Sequence, residues 1–174
     1  MAGDLVVASC ILDPNNPIEG LTDSKKMTAK KREELYTIIK EKALYFEIVY
    51  ITPEEIDKSN ILAMRMEGMK RAVNQLEKVD YAIIDGNRLP EGIKVDSDYS
   101  IKADFKFECV SAASILAKVA HDHKIIEDGS KYPEYQFEKH KGYGTKIHKE
   151  ALEKYGPCPI HRMSYKPVKE SIKK

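Results

Sequence analysis

The sequence predicts an α/β domain in which a mixed sheet is flanked by helices and a further helical stretch extends toward the carboxyl end. Three observations carry this. The apolar runs Leu5–Leu12, Phe46–Ile51 and Tyr81–Ile84 have the length and apolar content of buried strands. Between them, apolar residues recur at helical spacing. The third run ends abruptly at Asp85-Gly86-Asn87. An acid at the carboxyl end of a buried strand lies where open α/β sheets bind ligands and metals.

Taken in order, Leu5–Leu12 is bounded by the turn-rich Asp13-Pro14-Asn15-Asn16-Pro17. Thr28 is a suitable N-cap for a helix that presents Leu35, Ile38, Ile39 and Ala43 on one face. After the second strand, Thr52-Pro53-Glu54-Glu55 predicts a helix start, with Thr52 and Glu55 completing a capping box and Pro53 at the first helical position. Asn60 restarts the helix, because Leu62, Met66, Met69, Val73 and Leu76 follow a 4-3-4-3 rhythm of core packing. Beyond the Tyr81 strand come a loop with Pro90 and Gly92, a short extended piece at Tyr99–Ala103, and the helix Val110–Lys118 with its small-residue opening face. A last helix is expected from Thr145 to Tyr155, stopped by Gly156-Pro157. The polar, basic tail from Lys166 onward is expected to fray.

One domain spanning 1–174 accounts for this length, with no repeat, low-complexity block or linker. A net charge of +1 does not itself indicate a nucleic-acid binder, but residues 139–169 hold eight Lys/Arg against two Glu. That basic region is a candidate for substrate recognition, or simply a solvated lysine-rich surface. Cys10, Cys109 and Cys158 are scattered, which argues against a disulfide framework and a structural zinc site. No apolar run reaches membrane-spanning length and the amino terminus has no signal-peptide pattern, so the chain reads as cytoplasmic.

Asp85 and Asp104, nineteen residues apart, flank the approach to the small-residue helix. Small residues let a helix lie close to a sheet, and two acids converging there suit a divalent cation. On spacing alone, a capped turn and a surface aspartate is the plainer reading. His121-Asp122-His123 resembles a metal site, but helical residues two apart point to different faces. His140, His148 and His161 show no ligand spacing, and none is assigned to metal.

Several motifs occur together in a fixed order: Asp85-Gly86-Asn87; an acid before Ser111-Ala112-Ala113-Ser114-Ile115-Leu116-Ala117-Lys118-Val119; His140-Lys141-Gly142-Tyr143-Gly144-Thr145; and Gly156-Pro157-Cys158-Pro159-Ile160-His161-Arg162. In this the sequence resembles the ribonuclease HII family from about Ala2 to Val168. The resemblance implies a ribonuclease H-like sheet of order 3-2-1-4-5. It also implies hydrolysis of the RNA strand of RNA–DNA hybrids and of ribonucleotides embedded in duplex DNA, with a part in DNA replication and repair. Two Mg²⁺ or Mn²⁺ ions would be held by four carboxylates, of which Asp85 and Asp104 match two. Tyr143 would stack on the sugar beside the ribonucleotide, with Lys25, Lys26 and Arg162 as phosphate contacts. A soluble monomer without membrane association is expected.

The family pattern opens with a strand carrying Asp-Glu-Ala-Gly-Arg-Gly, and this sequence starts just after that point, at Met1-Ala2-Gly3. The first central strand is therefore expected to be missing, and with it the other two acids. Asp4 falls where the family has proline and is not taken as a substitute. The alternative reading is a remnant that binds nucleic acid weakly without cutting it.

Overall fold

The computed structural model describes residues 1–172, which form two compact units. In chain order the elements are β1 (Leu5–Ile11), α1 (Ala29–Lys42), β2 (Tyr45–Ile51), α2 (Pro53–Lys58), α3 (Ile61–Asn74), β3 (Tyr81–Asp85) and β4 (Asp96–Ser100). Then follow α4 (Glu108–Gly129), α5 (Phe137–His140), α6 (Lys146–Tyr155) and α7 (Lys166–Ile172).

One unit comprises Val6–Val49 and Arg65–Ala120. Its strands form two separate two-stranded sheets, β1 with β2 and β3 with β4. β3 and β4 run parallel, with Tyr81 opposite Asp96 and Asp85 opposite Ser100. Leu35 and Ile39 of α1 are fully buried against Ala112, Ile115 and Leu116 of α4. The small opening face of α4 has a second use beyond close packing. Ser111 Oγ donates to Thr22 O at 2.7 Å, and Ser24 and Ser114 share a hydroxyl hydrogen bond of 2.9 Å.

A cavity of about 110 Å³ lies between the two sheets of this unit. Consecutive residues line it, 8–11 of β1 and 81–84 of β3, so it runs along backbone edges rather than along one side-chain face. Cys109, Val110 and Ala113 of α4 and Met69 and Val73 of α3 complete the walls. Among the described residues no strand pairs with the facing edges of β1 and β3, which matches the expected gap at the sheet centre.

The other unit comprises Met1–Leu5, Tyr50–Met64 and the chain from His121. Phe137, Leu152, Ile125 and Val168 form its interior, each 2% exposed or less. Residues 1–3 are fastened within it: Ala2 bridges His161 in antiparallel fashion, and Gly3 N–H donates to Ile160 O at 2.8 Å.

Three helix starts are where the sequence puts them. Thr28 accepts from Lys31 N–H, Thr52 and Glu55 close a complete capping box, and Asn60 Oδ1 accepts from Ala63 N–H. Two expectations need correction. The extended piece expected at Tyr99–Ala103 is β4, Asp96–Ser100, because Lys102 turns left-handed and a 3-10 turn occupies Ala103–Phe105. The Asp85 carboxylate captures Ala103 N–H at 3.0 Å, drawing that residue into the turn. The tail expected to fray contains α7, whose Val168 is completely buried.

Candidate active site

β3 is a strand because Ala82 and Ile84 are buried on one side of it, against Val73 of α3. That packing brings Asp85 to its carboxyl end, half-exposed. Asp85 Oδ1 accepts the Ala103 N–H at 3.0 Å, and Arg65 lies 3.9 Å from Oδ2. Asp104 follows Ala103 in the 3-10 turn, so the turn that carries the second acid is fastened by the first. Ala103, the first residue of that turn, is fully buried.

The Lys25–Lys26 segment belongs to the same unit and is built firmly. Asp23 Oδ1 accepts Lys25 N–H at 2.9 Å, and Arg32 donates to Ser24 O at 2.8 Å and Met27 O at 2.7 Å. The Lys26 ammonium sits over the Phe105 ring, 4.7 Å from its centre, one residue from Asp104. Cationic groups and two carboxylates thus share one neighbourhood, as a phosphate-and-metal site requires. The donor chemistry of Asp85 and Asp104 suits a hard cation. Among the described residues no group of three or more His, Cys, Asp or Glu side chains converges on a metal position, so the pair is a partial set.

Tyr143 and Arg162 belong to the other unit. Tyr143 is 58% exposed, on a loop whose path depends on Gly142. Gly142 has φ +78°, and a Cβ there would lie 2.5 Å from Ala2 O, so both backbone conformation and space demand glycine. Gly144, on the other side of the ring, has no left-handed backbone; its hydrogen faces the flexible Met1 side chain. Arg162 is more engaged than a surface phosphate contact. Its Nε donates to Gly3 O at 3.0 Å, and its two terminal nitrogens to Tyr165 Oη at 3.0 Å and Asp4 O at 3.1 Å.

The structure also brings together a group that has no signature in sequence spacing. His140, His148 and His161, which lack ligand spacing, are all buried around Phe137. His148 Nε2 and His161 Nε2 are 2.9 Å apart, and His140 stacks on His148 with ring centres 4.3 Å apart. Burial pushes the His148 pKa down to about 3 and that of His161 down to about 4. His140, Cys158 and the Met1 amino group face the pair.

These imidazoles are neutral in the folded chain and take up protons on unfolding. Their contribution is therefore complete above pH 6.5 and is lost as pH falls toward 4 and 3. At ~1.4 kcal/mol per unit, stability should drop by roughly 2 kcal/mol per histidine between pH 6.5 and 5, above the carboxylate range. Urea unfolding across that interval measures it, and a flat profile would contradict the buried neutral pair.

Comparison with known proteins bears on this arrangement directly. The family model for ribonuclease HII matches residues 1–168. The ribonuclease HII of Idiomarina loihiensis is 52% identical over 99% of this chain and 92% of its own length. That of Vibrio parahaemolyticus is 50% identical over 99% of this chain and 82% of its own. The crystal structure of ribonuclease H2 from Pyrococcus horikoshii OT3 superposes with a TM-score of 0.83 at 28% identity, covering 99% of this chain and 91% of that one. An acid fixed at the end of β3, a second on the turn it fastens, and half the residues shared with such enzymes over nearly the whole chain lead to one assignment: the chain belongs to the ribonuclease HII family of endoribonucleases.

Proposed function

We propose that this protein hydrolyses the RNA strand of RNA–DNA hybrids and cuts at ribonucleotides embedded in duplex DNA. The observation that carries the reading is the Asp85–Ala103 hydrogen bond, which ties the strand-end carboxylate to the turn bearing Asp104. Asp85 and Asp104 would hold Mg²⁺ or Mn²⁺, which when bound offsets the phosphate charge and makes water a better nucleophile. Lys25 and Lys26 draw the backbone phosphates toward the carboxylates by charge. Water attacking in line leaves a 3′-hydroxyl and a 5′-phosphate. Tyr143 offers a flat face for stacking beside the ribonucleotide, where the 2′-hydroxyl separates RNA from DNA. Arg162 braces the residues around it and keeps part of its guanidinium for phosphate.

A second reading, binding of hybrids without cleavage, is favoured by the partial carboxylate set and, among the described residues, the unpaired edges of β1 and β3. Substrate choice tests the first. Tyr143→Ala should lose on the order of 1–3 kcal/mol of stacking. It should slow cleavage at RNA–DNA junctions more than within all-RNA tracts of a hybrid. The assay uses protein in which an Asp-Glu-bearing strand fills the β1–β3 cavity. Equal losses on both substrates would make the ring structural.

A further inference from the structure

The histidine group of the second unit has one hydrogen-bonding solution. Cys158 N–H points at His161 Nδ1 at 3.0 Å, and the Cys158 thiol lies 3.1 Å from the same nitrogen. His161 Nδ1 is therefore the acceptor and Nε2 carries the hydrogen. That hydrogen is donated to His148 Nε2 at 2.9 Å. His148 must then hold its own hydrogen on Nδ1, which lies 2.9 Å from Tyr143 O. The opposite arrangement, with His161 Nδ1–H donated to Cys158 O at 3.2 Å, fails twice. It sets two N–H groups against each other at Cys158, and it turns the bare His148 Nδ1 onto the Tyr143 carbonyl. The direction of the chain is thus fixed: Cys158 N–H to His161, His161 to His148, His148 to Tyr143 O.

We propose that His148 and His161 are positioning residues, a buried pair that holds the main chain of Tyr143 and so sets the presentation of its exposed ring to nucleic acid. The second half of this rests on the reading of Tyr143 as a substrate contact. The geometry is specific to that residue. Tyr143 O also receives Thr145 N–H at 2.8 Å, and Tyr143 N–H donates to His140 O at 2.9 Å, so the peptide groups on both sides of the ring are fastened. Stacking of His140 and the edge of Phe137 against His148 leave that imidazole no room to rotate. His148 is fully buried while the ring it governs is exposed. A neutral histidine held so by burial accepts at one nitrogen and donates at the other, on opposite sides of a rigid ring.

The test uses the full 174-residue chain with an Asp-Glu-bearing strand supplied, as in the cleavage assay. Nitrogen NMR at pH 7 should show hydrogen on His148 Nδ1 and His161 Nε2 and none on the other two nitrogens; the reverse tautomers, or a charged imidazole, overturn the proposal without any variant. Two substitutions then separate positioning from packing. In His148→Asn the amide occupies the place of Nδ1 and keeps the bond to Tyr143 O; in His148→Gln it occupies that of Nε2 and keeps only the link to His161. Amide exchange at Tyr143–Thr145 should stay slow in the Asn variant and quicken in the Gln variant. Affinity for an RNA–DNA junction duplex without metal should stay near the parent's in His148→Asn and fall about tenfold in His148→Gln, the worth of one hydrogen bond. Equal effects of both variants on exchange and affinity would reduce His148 to a packing residue. If exchange separates the variants while duplex affinity does not, the positioning stands and the reading of Tyr143 as a substrate contact falls.

Discussion

Asp85→Asn should abolish hybrid cleavage while leaving the fold and hybrid binding in place. The amide retains an oxygen to accept Ala103 N–H, the 3.0 Å bond that fastens the Asp104 turn, so the turn should hold. What is lost is the negative charge. Arg65, 3.9 Å from the carboxylate, would then stand beside a neutral group and further disfavour a cation. A term worth several kcal/mol in the transition state corresponds to a loss of about a thousandfold or more in cleavage rate. The measurement is single-turnover cleavage beside anisotropy of a labelled hybrid. It needs protein in which an Asp-Glu-bearing strand completes the carboxylate set. Retained cleavage would remove Asp85 from the chemistry. A parallel loss of binding and thermal stability would show that its carboxylate serves the turn alone.

What could be read beforehand divides along physical lines. Local signals were legible: the caps at Thr28, Thr52 and Asn60 act within three residues of themselves. The strand ending at Asp85 was legible because two buried residues and an acid follow one another directly. β4 was displaced because Asp-Ser-Asp-Tyr-Ser has no apolar alternation, and its position follows from pairing with β3. α7 was missed because a seven-residue helix held by one buried valine shows no period. The histidines were unreadable for another reason. His148 and His161 stand thirteen positions apart, on a helix and beyond its end, and only the tertiary path of the Tyr143 loop gives them a common purpose. The carboxylates needed resemblance as well as residues, since spacing alone favoured a capped turn.

The other large effect concerns the cavity between β1 and β3. Supplying a strand that pairs with both edges and carries Asp-Glu, fused or added as a peptide, should raise stability by several kcal/mol and restore cleavage. Residues 8–11 and 81–84 line a cavity of about 110 Å³ walled mostly by apolar side chains, and the backbone N–H and C=O groups not used in pairing with β2 and β4 face that side. Each such group left unsatisfied costs about 1–3 kcal/mol, against about 5–15 kcal/mol for a whole domain. A handful of them is enough to remove the margin. The 174-residue chain alone should therefore unfold with poor cooperativity or aggregate through its open strand edges, and should show no hybrid cleavage with Mg²⁺ or Mn²⁺. A strand that runs parallel to β3, with its acids toward its own carboxyl end, answers both deficits, because it satisfies two ladders and brings its acids to the end where Asp85 stands. A strand with Asn-Gln in place of Asp-Glu should restore cooperative unfolding without cleavage, which separates the structural deficit from the chemical one. If the unaided chain melts cooperatively and cuts hybrids, the cavity is harmless and some acid already present, Asp4 first among them, completes the carboxylate set.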